Sequence, residues 1–192
     1  MFTQALSITF RILGFRAGPE DFPYDASARL TYACVALGVL ASAALAALEL
    51  TVPGALLLGV ATVGALGLYT RVVLRARKLE NRIQQTFNAL LATSSMLSLA
   101  LIFPLQQMLP ALNVFAERLK THPELLQDPN SAPLLPMHLV LLAMVLLVWQ
   151  FAVTAHILRR AANLRMAGGI FLALLCVLTV LCFKVFFSAL VQ

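Results

Sequence analysis

Residues 166–191 read MAGGIFLALLCVLTVLCFKVFFSALV, twenty-six positions that hold one charge, Lys184. A helix crosses the hydrocarbon of a bilayer with about 20 apolar residues, so this stretch makes a membrane span unaided. Working back toward the N-terminus, similar apolar runs occupy residues 134–158, 86–112, 53–74 and 30–50. Short breaks separate them. Glu49, Thr51, Pro53 and Gly54 turn the first run into the second, and RVVLRARKLENR (71–82) leads into the third. A polar connection over 113–133 precedes the fourth, and HILRRAANLR (156–165) precedes the fifth.

Composition agrees. Of 192 residues 61% are hydrophobic and 11% charged, with a mean hydropathy of +0.90. Soluble domains are about 45–50% apolar and about 25% charged. The expected fold is all-α, a polytopic membrane bundle of five transmembrane helices over residues 29–192. A cytoplasmic interfacial segment, 1–28, precedes it. That segment opens with a short helix whose polar side is Thr3, Gln4, Ser7 and Arg11, opposite Phe2, Leu6, Phe10 and Leu13. Such a pattern suits a helix lying along headgroups. Arg11 interrupts any apolar signal-peptide core. Gly18, Pro19 and Pro23 then break regular structure, and Asp25 or Ser27 can cap the first span.

Basic residues are retained on the cytoplasmic side. Arg11, Arg16, Arg29, Arg71, Arg75, Arg77, Lys78, Arg82, Arg159, Arg160 and Arg165 fall on the side of the N-terminus. Only Arg118, Lys120 and Lys184 fall on the other. The N-terminus is therefore expected in the cytoplasm and the C-terminus outside it. The net charge of +6 points to anionic headgroups as lipid partners. Nucleic acid is excluded as a partner, because basic residues with exposed aromatic platforms are lacking.

Helices in lipid associate through small residues and buried polar contacts. Cys34, Gly38, Ser42 and Ala46 on the first span, with Ala61 and Ala65 on the second, predict an antiparallel hairpin. The third span is the most polar. Asn88, Ser95 and Gln106 share one face of it, and Gln150 and Thr154 share a face of the fourth. These five residues form a candidate intramembrane polar cluster, read either as interhelical adhesion or as a polar path for a solute. Lys184 lies roughly 25 Å along the last helix from Gly168. It either snorkels past the neighbouring phenylalanines or pairs with Glu49 at the outer end of the first span.

Chemistry is sparse. Cys34, Cys176 and Cys182 sit in apolar runs without a CxxC partner. His122, His138 and His156 have no metal-ligand spacing, and no GxSxG or P-loop occurs. No carboxylate lies near the middle of a span, which argues against a proton-coupled pump. No catalytic residue, metal or cofactor is expected, and the chain is read as a non-enzyme.

Two segments, LENRIQQTFNALLATSSMLSLALIFPL (79–105) and WQFAVTAHILRRAANL (149–164), precede the all-apolar last span. Together these resemble the Yip family of five-span membrane proteins, over residues 30–190. The resemblance implies a cytoplasmic N-terminus and a non-cytoplasmic C-terminus. Eukaryotic members interact with Rab/Ypt GTPases through trafficking forms that carry a longer cytoplasmic segment. This compact chain resembles bacterial members, which implies the inner membrane. The leading functional reading is an adaptor, scaffold or membrane-organising protein. Its candidate surface for anionic lipid or another membrane protein is Arg75, Arg77, Lys78, Arg82, Arg159 and Arg160. A homo-oligomer or a subunit role in a larger complex fits equally. The alternative is a small transporter or channel subunit with a polar path between the third and fourth spans.

Overall fold

Five helices long and apolar enough to cross a membrane build the protein. They are seen in a computed structural model that describes residues 1–25, 28–122, 133 and 135–189. A short helix, α1 (Phe2–Leu13), comes first, then α2 (Arg29–Ala46), α3 (Val52–Ala76) and α4 (Ile83–Thr121). The last two are α5 (Met137–Ala161) and α6 (Met166–Ala189). Neighbour relations close a ring in the order α2, α3, α6, α5, α4 and back to α2. Exposed Leu, Val, Ile and Phe side chains girdle the outside of the ring. That is the surface expected of helices solvated by acyl chains.

The α2–α3 hairpin forms as expected, but its closest approach is at Gly59, outside the expected stripes of small residues. A Cβ on Gly59 would stand 2.6 Å from the carbonyl oxygen of Val39 and 3.2 Å from Cβ of Ala43. Gly38 admits the side chains of Leu91 and Val63 in the same way. Between α5 and α6 the approach is equally close at Gly169, where a Cβ would meet Cβ of Arg159 at 2.6 Å and the Ala155 carbonyl oxygen at 2.7 Å.

Boundaries differ from expectation at one helix above all. The apolar run predicts a third span ending at 112, whereas α4 continues to Thr121 through both Pro104 and Pro110. Its 39 residues reach about 58 Å at 1.5 Å per residue, nearly twice the hydrocarbon thickness. Residues 111–121 contain good helix formers such as Ala, Leu, Glu, Arg and Lys, so the helix carries on where apolarity stops. Residues 123–132 of the polar connection lie outside the described residues, as does Ser27.

The α1 helix presents three faces rather than two. Ala5, Ile8, Thr9 and Ile12 are buried against the bundle, where α1 packs on α4 and α5. Phe2, Leu6 and Phe10 stay exposed beside them, and Thr3, Gln4, Ser7 and Arg11 complete the circle. The apolar arc is wide enough to meet protein and lipid at once.

Candidate functional site

One end of the ring carries nearly all the basic residues. Helices α3 and α5 finish there, and α1 finishes against Trp149 at the middle of α5, all with the same device. In each, a residue in the left-handed region (Phe15, Lys78, Asn163) follows the cap. The next amide then bonds back across the last turn: Arg16 to Arg11, Leu79 to Leu74 and Leu164 to Arg159, at 2.8–2.9 Å. This is the Schellman pattern that satisfies terminal carbonyls, here made without glycine.

Asn163 gains a second role from that conformation. Its Oδ1 accepts a hydrogen bond from Nη1 of Arg82 at 3.0 Å. The same nitrogen lies 3.4 Å from the carbonyl oxygens of Arg160 and Ala161. Arg82 thus caps the negative end of the α5 dipole. Arg160 pairs with Glu20 at 2.6 Å, while Arg159 reaches only the sulfur of Met166 at 3.6 Å. Glu20, Arg82, Arg159, Arg160, Asn163 and Leu164 line a cleft of about 390 Å³. Three arginines face one carboxylate, so the cleft is electropositive.

Arg82, Arg159 and Arg160 of the candidate surface are therefore brought together. Arg75, Arg77 and Lys78 are not: they are exposed at the α3 turn, and Arg75 stands 3.8 Å from Glu80.

Residues 13–25 form a strap that sequence reasoning missed. It climbs α5, with the Trp149 indole donating to the Leu13 carbonyl at 3.0 Å and His156 Nε2 donating to that of Ala17 at 3.0 Å. The ring of Phe15 meets His156 edge-on, and Glu20 follows at Arg160. From α4, Gln85 donates to the Phe22 carbonyl at 2.7 Å and Gln84 to that of Asp25 at 2.8 Å. Irregular backbone against a membrane bundle needs such donors, because each unpaired carbonyl is costly in hydrocarbon. The signal was present in sequence. Trp149, His156 and Arg160 are seven and four residues apart, one face of a helix.

The intramembrane polar cluster does not assemble as expected. Asn88, fully buried, donates through Nδ2 to Oγ1 of Thr31 on α2 at 3.0 Å. Thr31 also accepts from Gln84. Ser95 donates to the Leu91 carbonyl of its own helix at 2.6 Å, and Gln106 is exposed. Only Gln150 and Thr154 line the cavity of about 450 Å³ inside the ring. From α4 that cavity takes Leu90, Ser94, Ser98 and Leu101 instead. At 100° per residue this row lies about 120° from the expected one. The reason is that α4 is gripped on two flanks, by α2 and α5, so its buried polar residues do not form one stripe.

Of the two readings for Lys184, the candidate pair with Glu49 is not formed. Among the described residues no ion pair involves either one. Glu49 is exposed, and Lys184 lines the inner cavity. Also among the described residues, no group of three or more His, Cys, Asp or Glu could hold a metal ion. Cys34 and Cys176 are buried, Cys182 is exposed, and all three are free.

No family model, curated protein or solved structure matches this chain. What the sequence and the fold establish is a polytopic, all-helical membrane protein with five apolar spans.

Proposed function

We propose that the protein is a non-enzymatic membrane organiser that holds anionic lipid headgroups at its basic end, as an adaptor or scaffold for other membrane proteins. The observation that carries this reading is the convergence of Arg82, Arg159 and Arg160 on one cleft with Glu20 as the sole acidic lining residue. Guanidinium groups recognise phosphate oxygens in bidentate fashion, and Arg159 has no carboxylate competing for it among the described residues. The exposed Phe2, Leu6 and Phe10 of α1 add an apolar contact with the bilayer.

By the retention of basic residues, the cleft faces the cytoplasm, and the resemblance to compact bacterial members of the Yip family implies the inner membrane. That resemblance also implies a cytoplasmic N-terminus. The transporter alternative draws only on Gln150 and Thr154, since Asn88, Ser95 and Gln106 lie outside the cavity lining.

Native mass spectrometry of the protein extracted from mixed phosphatidylglycerol and phosphatidylcholine bilayers tests this function. Phosphatidylglycerol should be retained preferentially. Arg82→Gln with Arg159→Gln should cut that preference by about fivefold per arginine, since each is worth about 1 kcal/mol at an anionic surface. Equal retention of both lipids by the unaltered protein overturns the proposal.

A further inference from the structure

We infer that the cavity inside the helix ring is a binding site for a single-chain anionic amphiphile, with the acyl chain in the ring and the head on Lys184. The site is separate from the basic cleft and does not depend on it. At about 450 Å³, the cavity falls within the roughly 300–1,000 Å³ of small-molecule sites, which are mainly apolar with a few placed polar groups. It is elongated along the bundle. Its α4 lining runs from Leu90 to Leu101, about 16 Å at 1.5 Å per residue.

Much of its hydroxyl lining is not free to solvate a polar guest. Thr62 donates to the Leu58 carbonyl and Thr154 to that of Gln150, both at 2.8 Å, and Ser94 donates to that of Leu91 at 3.2 Å. Their hydroxyl protons are spent on their own helices. A water column needs two to four polar partners per molecule, and beyond those hydroxyls the lining offers only Ser42, Ser98, Gln150 and Lys184 among apolar side chains. An acyl chain needs none.

Lys184 stands at one end of this space. Among the described residues no carboxylate pairs with it, and an uncompensated cation within apolar surroundings is costly. An anionic head supplies the missing charge, with Ser42 and Ser98 in the same lining as partners for its polar oxygens. Leu147 on α5 and Leu181 on α6 belong both to the lining and to the exposed outer surface, at 48% and 53% exposure. They mark a lateral rim through which a chain enters from the bilayer.

The test uses the full chain in phosphatidylcholine nanodiscs, with a fluorescent fatty acid as probe and empty nanodiscs as background. Saturable binding is expected, with displacement by palmitate or lysophosphatidylglycerol. Methyl palmitate and monopalmitoylglycerol, the same chain without charge, should displace at least about tenfold less well, as expected for loss of a charge-assisted contact. Displacement by only one of the two anions supports the site and identifies its head as carboxylate or phosphate. Lys184→Met should lower anion affinity to that of the neutral analogues, and Lys184→Arg should restore it. Equal displacement by charged and neutral compounds overturns the inference, as does the absence of saturable binding. The neutral analogues are compared on the unaltered protein, so the outcome survives a variant that fails to fold. Displacement that is lost in Lys184→Met but kept in Arg82→Gln with Arg159→Gln belongs to the cavity, which keeps the result distinct from lipid retention at the basic cleft; the reverse pattern overturns the inference.

Discussion

The two ends of the helix ring are built on different physics. At the basic end, where α3 and α5 finish, helices are fixed by contacts that accept one geometry. Arg82 caps α5, Thr31 receives Gln84 and Asn88, and Gly169 lets α6 onto the backbone of α5. Leu74, Ile157, Leu158 and Ala161 are wholly buried there. The far end has a small cluster of buried side chains, Leu101, Met108, Leu139 and Ala143, and the Lys184 end of a cavity. Acyl chains are as apolar as leucine, so no hydrophobic force closes a gap that lipid can line. Closure needs hydrogen bonds or backbone contact; the hydrogen-bonding side chains are concentrated at the basic end, while toward the far end the close contact is that of Gly59 with Val39 and Ala43.

This contrast breaks most sharply at Gly169. Gly169→Ala places a methyl within 2.7 Å of the Ala155 carbonyl oxygen; thermal unfolding in detergent should show a loss of about 2 kcal/mol from overpacking. Gly64→Ala is the control, since nothing lies within 4 Å of the added carbon, and it should be neutral or slightly stabilising through helix propensity. Equal effects would mean that helix contact is uniform along the ring.

Next in size is Thr31→Val. It removes the acceptor of the buried Asn88 amide, and an orphaned buried donor costs about 1–3 kcal/mol. Protease nicking in the strap, followed by mass spectrometry, should rise as α2 loosens from α4; unchanged nicking and unchanged melting together would contradict the anchoring role.

A double-mutant cycle of Arg82→Gln and Asn163→Ala measures the α5 cap. Because this bond is exposed, a coupling of only about 0.5–1 kcal/mol is expected, and strict additivity would remove the bond from the account.

Lys184→Met sharpens the comparison from the other side. A charge without an ion-pair partner at the loose end gives the fold no attraction to lose. Removing the uncompensated cation relieves its desolvation cost, so melting in lipid-free detergent should be unchanged or raised. A large loss would show that the far end, too, is held by a specific contact.

Much of the fold was legible in sequence because each span is set by a single local quantity, the length of an apolar run. Helix α6 begins at the expected Met166. The hairpin at α2 and α3 was also legible, since small residues mark where backbones approach. The sites were less so. The basic residues were identified as a group, yet only Arg82, Arg159 and Arg160 converge, because convergence depends on the left-handed turn at Asn163. For the polar cluster the reading selected amides by type and period. Asn88 was claimed by α2, Ser95 by its own backbone, and Gln106 was left outside the ring.

By itself the sequence determined that the chain spans a membrane with five helices and concentrates its positive charge on one side. Both follow from transfer energies summed over neighbouring residues, which need no knowledge of packing. Tertiary structure alone decided that the helices close into a ring, that a strap is stitched to α5 by Trp149 and His156, and that Lys184 faces a cavity. Those outcomes depend on which helix stands beside which. In hydrocarbon that choice is made by hydrogen-bond donors finding acceptors and by small residues admitting backbone, contacts between residues as far apart as Leu13 and Trp149.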